Sequence, residues 1–435
     1  MHHLLWGKVV LLLVGVVAVL QVVHLVLLSR LESRHRRQPA AGHAPPLPVA
    51  AGTQVESLFS SLALSLQQHG RVLDASGEYR LVPHLATTAR RPVAADTTLV
   101  TQCSYGHLQL IPALVERWQI NQNPNAQGVV SVAVYAEYRD LSAALWAIAS
   151  LRSCYSGIRQ NVSFHLVSPM SSAGGRGREV APQPPLVPPP PSGADPCSTA
   201  GMQVSGAYRA NYAGGARYPN NLLRNVARRG AETEFVLVAD IDMVPSANLR
   251  ADFYEFALRG RLFSESRRDD KTVYVVPAFE APEAVPPPED KAQLLKLAEK
   301  GLLRPFYIEL CLKCQVHTDY EAWQKEPPSK GLSPLFEVLW KDPWEPFYIS
   351  RNSVPFYDER FKQYGFNRIS QVCELHVAGY KFSVLNNGFL VHRGLKTANS
   401  FHTSKDIEQE RNRMLFRQFK IELKDKYPES SRRCY

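Results

Sequence analysis

Apolar and polar positions divide the chain into two regimes. Residues 9–28 form an apolar run broken only by Gln21 and His24, the length at which a helix crosses a hydrocarbon core. No small-residue cleavage motif follows, so the pattern predicts a short tail (1–8), a retained transmembrane anchor (9–28) and a stem (29–94). Within the stem, residues 39–48 read as a Pro-rich spacer and residues 54–69 as a helix. Beyond it the period alternates. Thr97–Thr101, Val129–Ala136, Val162–Val167, Phe235–Ala239 and Val273–Pro277 are apolar runs of strand length. Between them, Leu108, Ile111, Leu114, Val115 and Trp118 mark one helix face. Leu141–Leu151, Tyr218–Asn225, Lys291–Lys300 (stopped by Gly301) and Lys405–Lys426 read as further helices. This alternation predicts an α/β domain over residues 95–435 with a mainly parallel central sheet. Residues 171–196, with Gly174-Gly-Arg-Gly177 and Pro188–Pro191, interrupt it and are expected to be a disordered Pro/Gly-rich loop.

Composition adds two exclusions. The 435 residues are 45% apolar and carry a formal charge of +10, spread over both halves rather than gathered in a stripe. That describes a globular enzyme-sized chain with a solvated basic surface, and speaks against a nucleic-acid partner. Seven cysteines follow the apolar run, an odd number, so an oxidising compartment would leave at least one unpaired. Cys311-Leu-Lys-Cys314 has no second pair at zinc spacing, which favours disulfides over zinc or redox chemistry. Asn161-Val-Ser163 is a permitted glycosylation acceptor. The cysteines and this sequon place the large C-terminal part in a lumen. Lys8 before the span and Arg30, Arg34, Arg36 and Arg37 after it would alone favour the opposite topology.

The chemistry concentrates at the end of one strand. Asp240 and Asp242 follow the apolar run Phe235–Ala239, where open α/β sheets place ligands. Extended backbone would point both carboxylates the same way, toward a hard cation such as Mn²⁺ or Mg²⁺ that bridges a diphosphate. The competing reading is a turn with two solvated aspartates. His392, after the short apolar run Gly388-Phe-Leu-Val391, is a candidate third metal ligand or a core histidine, and Lys396 a candidate phosphate contact. Trp344 and Phe347 flank Glu345 and read either as sugar-stacking rings or as core. An inverting transfer needs a carboxylate to deprotonate the attacking hydroxyl, and Glu345 is available for it.

Tyr218-Pro-Asn-Asn-Leu-Leu-Arg-Asn225, Asp240-Ile-Asp-Met-Val-Pro-Ser246, Asp342-Pro-Trp-Glu-Pro-Phe-Tyr348, Phe356–Ser370, Cys373–Gly379 and Phe389-Leu-Val-His392 closely resemble the LARGE-related glycosyltransferases that modify dystroglycan, in their second catalytic domain type. The resemblance covers residues 95–170 and 217–434. It implies a GT-A type nucleotide-sugar-binding domain in a single-pass type II protein of the Golgi membrane, which would settle the orientation with residues 1–8 cytoplasmic. It further implies Mn²⁺, UDP-glucuronate as donor, and a β-1,4-linked glucuronate placed on a xylose-terminated glycan. In the family this primes O-mannosyl glycans of α-dystroglycan for extension, in company with LARGE-type glycosyltransferases. Carried over residue by residue, Asp240, Asp242 and His392 fall at the metal site. Asn221 and Arg224 fall at donor contacts, to which Asp240, through the metal motif, and Lys396, from its charge, are added.

Two departures stand out. Residues 171–216 match poorly, where the family has an ordered, helix-forming segment near the donor. Asn367 and Arg368 occupy the place where many inverting GT-A enzymes carry an acidic base motif, which leaves Glu345 first and Glu374 second as substitutes. A catalytically weak Golgi partner of another transferase, or use of a different donor such as UDP-N-acetylglucosamine, are the alternatives.

Overall fold

The computed structural model describes residues 50–69, 72–119, 128–170, 186–188, 197, 217–397 and 404–434. The expected anchor, its flanking tail and most of the 171–196 loop lie outside the described residues. Among the described residues, no helix is long and apolar enough to cross a membrane.

Helix α1 (Ala50–His69) buries Val55, Phe59, Leu62 and Leu66, a 3–4 spacing that presents one stripe to the core. Strands β1 (Val72–Leu73), β2 (Tyr79–Ala86) and β3 (Thr97–Ser104) follow. Helix α2 (Ile111–Gln119) buries Ile111, Leu114, Val115 and Trp118 on the expected face. Then come β4 (Val130–Tyr135), α3 (Leu141–Cys154), α4 (Ser156–Asn161) and β5 (Val162–Pro169), the two strands buried throughout. The second half contains α5 (Asn220–Arg229), β6 (Phe235–Val238), β7 (Met243–Pro245), α6 (Leu249–Arg259), β8 (Thr272–Val276), β9 (Ala278–Ala281) and α7 (Lys291–Glu299). Asp290 starts α7 by accepting from Gln293 N at 2.8 Å. After it come β10 (Arg304–Pro305), α8 (Leu312–Gln315), α9 (Tyr320–Lys325), β11 (Ser333–Val338), β12 (Phe347–Arg351), α10 (Asn367–Val377), β13 (Lys381–Asn386), β14 (Leu390–Arg393) and α11 (Lys405–Lys426).

Ten strands make the main sheet, in the order β1-β2-β5-β4-β3-β6-β12-β8-β13-β11. The expectation of a mainly parallel sheet needs correction. The block β5-β4-β3-β6 and the pair β8-β13 are parallel, but β12 runs antiparallel to both β6 and β8, and β2 and β11 are antiparallel to their neighbours. The sheet is mixed. A strand covered on both faces is apolar throughout whichever way it runs, so the sequence carried no directional signal for β12. The stem boundary also shifts: β2, inside residues 29–94, pairs with β5, and α1 packs in the core. Pro83 and a register break between Val82 and Ala86 hid β2 from a period-2 reading.

Pleating sorts the core. Leu99, Val132, Val134 and Leu237 face the cluster containing α1, α2 and α3, while Val100, Ala133, Val236 and Val238 face Leu222, Leu223 and Val226 of α5. Each such buried Val or Leu side chain contributes about 1.5–3 kcal/mol, which pins α5 against β6, the strand that leads into the acid pair. A smaller sheet, β10-β9-β14-β7, sets His392 on β14 opposite Met243 of β7 and Glu280 of β9. Disulfides join Cys154 to Cys197, Cys311 to Cys314 and Cys373 to Cys434, and Cys103 is free and buried. Asn161 is only 7% exposed, its side-chain oxygen buried without a hydrogen bond.

Candidate active site

A cavity of about 510 Å³ opens where β3 and β6 end, and Arg224, Asp240, Asp242, Glu345, His392 and Lys396 all line it. The chain therefore brings together six of the eight residues singled out from sequence. The acid pair does not sit on extended backbone. Strand β6 stops at Val238, and a turn closed by Met243 N donating to Asp240 O at 3.0 Å sends the two carboxylates to different partners.

Asp240 is gripped by two guanidinium groups. Arg224 Nη2 donates to its Oδ1 at 3.2 Å and Arg368 Nη2 to its Oδ2 at 2.7 Å. Burial opposes its ionisation, but the charges of Arg368 and Arg224 outweigh burial and hold the carboxyl below the usual range. Asp242 instead meets His392, with Nε2 to Oδ2 at 2.9 Å, and Lys396 Nζ lies 3.8 Å from the same oxygen. Burial again opposes ionisation, and the imidazole and Lys396 again win, keeping the carboxyl low.

The His392 ring states its own preference. Nδ1 lies 2.6 Å from Gly394 O, a carbonyl that can only accept, so Nδ1 carries the proton. Nε2 lies 2.9 Å from the ionised carboxylate, a contact that a protonated ring makes by donating and that a bound divalent cation would replace by taking both atoms as ligands. Asp242 and His392 are the side chains that would hold a divalent metal, as a nitrogen–oxygen pair. Asp240 does not complete a trio. Among the described residues no group of three His, Cys, Asp or Glu side chains is disposed to hold a metal, and each Asp240 oxygen accepts from an arginine.

Glu345 is the uncommitted acid. Its side chain makes no hydrogen bond or ion pair with described residues, and its backbone N donates to Cys314 O at 3.1 Å, tying it to the wall closed by the Cys311–Cys314 disulfide. Burial pushes its carboxyl up to about 7, against the pull of Arg368 and Arg224. A carboxylate poised there suits general-base work near neutral pH.

Two candidates lie elsewhere. Glu374 on α10 does not line the cavity; its Oε1 accepts from Lys426 Nζ at 2.6 Å and Tyr427 OH at 2.9 Å, fastening α10 to the end of α11. Asn221 is fully buried and braces the fold, donating to Asp358 O and Asn367 O and accepting from Arg224 Nη1 at 2.9 Å. Trp344 is core: its Nε1 donates to Thr318 Oγ1 at 2.9 Å and it is fully buried, as Phe347 is nearly.

Sequence reasoning missed the role of Arg368 and of the tyrosines Tyr307 and Tyr364, whose hydroxyls bond each other at the cavity wall. Arg368 was visible only as a departure from an acidic motif. No local pattern announces a contact with a residue 128 positions upstream.

Comparison with known proteins gives the class. A family model described as a glycosyl-transferase for dystroglycan matches residues 96–428. The chain belongs to that family and is a glycosyltransferase, an α/β enzyme with a mixed sheet. It is 40% identical to the β-1,4-glucuronyltransferase 1 of Danio rerio over 445 residues, covering 98% of each chain. To that of Homo sapiens it is 41% identical over 395 residues, covering 90% of this chain and 88% of the other. The xylosyl- and glucuronyltransferase LARGE2s of Gallus gallus is 28% identical over 315 residues, 72% of this chain and 34% of that one.

Proposed function

We propose that the chain transfers glucuronate from UDP-glucuronate to the 4-hydroxyl of a terminal xylose, with inversion, in a GT-A type site that uses a divalent cation such as Mn²⁺. The observation that carries this reading is an uncommitted carboxylate, Glu345, facing the same cavity as the Asp242–His392 pair. The named relatives supply the sugar. The acceptor hydroxyl gives its proton to Glu345 as its oxygen forms the new bond to the donor C1, and the C1–oxygen bond to UDP breaks. A divalent cation, when bound, neutralises charge on the departing diphosphate. Asp242 and His392 would hold that cation. Lys396 holds charge near the phosphates, and Arg224 holds Asp240 and the turn in place.

The same reading assigns the acceptor to O-mannosyl glycans of α-dystroglycan, alongside LARGE-type enzymes, and the chain to the Golgi membrane as a type II protein anchored by residues 9–28. A panel of UDP-sugars offered with a β-xyloside, with and without Mn²⁺, tests it. Glucuronate transfer that stops on chelation is expected. Transfer of N-acetylglucosamine instead, or no turnover of any donor, would overturn the donor assignment or the catalytic one.

A further inference from the structure

Three positive side chains sit close to the acid pair, and the fold uses them unequally. Arg224 is largely committed: Nη1 donates to Asn221 Oδ1 and to Asn367 Oδ1 at 2.8 Å, and Nη2 to Asp240, while its Nε is buried without an acceptor. Lys396 stands beside Asp242 at the metal-binding end. Arg368 differs. Its one hydrogen bond among the described residues runs from Nη2 to Asp240, and the rest of the guanidinium edge faces the cavity. The residue is 7% exposed, yet it lines the cavity, and its guanidinium carbon lies over the Phe347 ring, 4.0 Å from the ring centre. An arginine seated on an aromatic ring, nearly buried and with donors facing a cavity is a receptor for a planar anion.

Charge and position narrow which anion. Two guanidinium groups share the single Asp240 carboxylate, so the trio retains a net positive charge inside the cavity. Arg368 is also the leading charge acting on Glu345. If Glu345 deprotonates the hydroxyl attacking C1, the donor sugar ring lies beside Glu345 and therefore within reach of Arg368. The diphosphate lies toward Asp242, His392 and Lys396.

We propose that Arg368 selects a uronate over a neutral hexose, through a two-point bond from its guanidinium to the carboxylate of the donor sugar. This rests on the glucuronyl-donor reading above. It also gives a purpose to the basic residue that replaces the acidic motif: the position serves donor selection, and Glu345 takes the base role.

The test measures dissociation constants of the full chain, with Mn²⁺, for UDP, UDP-glucose and UDP-glucuronate. UDP-glucose differs from UDP-glucuronate only in bearing a hydroxymethyl group where the uronate has its carboxylate. The unaltered protein should bind UDP-glucuronate about 10- to 100-fold more tightly than UDP-glucose, the span of a charge-assisted bidentate bond. Arg368→Gln should erase that difference while UDP affinity stays within about threefold. Arg368→Lys keeps the charge that Asp240 needs, and so guards against a folding defect. It should retain UDP affinity and lose most of the preference. If the unaltered protein shows no preference for the uronate, the donor reading falls and this inference with it. If it does, and Arg368→Lys or Arg368→Gln keeps that preference, or UDP affinity falls in step with that of UDP-glucuronate, the inference falls alone.

Discussion

Glu345→Gln separates catalysis from stability more sharply than any other single change. The carboxylate has no hydrogen-bond partner among the described residues, so the amide breaks nothing in the fold. Burial lifts its carboxyl to about 7, with Arg368 and Arg224 pulling it down and Asp240 pushing it up. The unfolded carboxyl titrates far lower, so as pH rises toward 7 the native state carries the cost of ionising a desolvated group, and Gln removes that cost. The melting temperature at pH 8 should hold or rise. Activity should collapse. Loss of a general base costs on the order of 10²–10⁴ in kcat. The base must be deprotonated, so in the unaltered enzyme about half the molecules are competent at pH 7 and about one in eleven at pH 6, giving kcat/KM a limb that falls toward tenfold per pH unit on the acid side. Steady-state rates of transfer to a β-xyloside between pH 5.5 and 8.5 check both points. A Gln variant with more than about a tenth of the kcat, or a pH profile flat through 7, would refute the assignment of the base.

Other outcomes follow from the same geometry. Asp242→Asn and His392→Ala should each weaken Mn²⁺ activation by at least about 10- to 100-fold, the cost of losing an outer-shell partner alone, read as the metal concentration for half-maximal rate, if the pair holds the cation as proposed. Asp240→Asn leaves Arg224 and Arg368 facing each other without their shared counter-charge, so stability should fall by about 1–3 kcal/mol in denaturant unfolding. Glu374→Gln should cost about 1–3 kcal/mol by loosening Lys426 and Tyr427 from α10, with kcat unchanged. A large drop in its kcat would reinstate it as a catalytic group.

Apolar period alone determined where β3, β4, β5, β6 and β8 and the helices α2, α3, α5, α7 and α11 lie, but not α6, α10, β11, β12 or β13. Trp118 and its helix face, the α11 boundaries and the buried run before Asp240 follow from local spacing, because burial of one face fixes which positions are apolar. The candidate chemistry was equally legible at Asp240, Asp242, His392 and Glu345, since polar groups at the ends of apolar strands are costly unless used. Strand direction was not legible: β12 reads the same parallel or antiparallel when both faces are covered. Nor was the partner of each charge. A strand that stops at Val238, one residue short of the expected end, turns Asp240 toward Arg224 and Arg368 and leaves Asp242 to His392. Contacts between residues more than a hundred positions apart arise only when the sheet closes, so the tertiary structure alone distinguished the acid held by arginines from the acid paired with histidine, and both from the one left free.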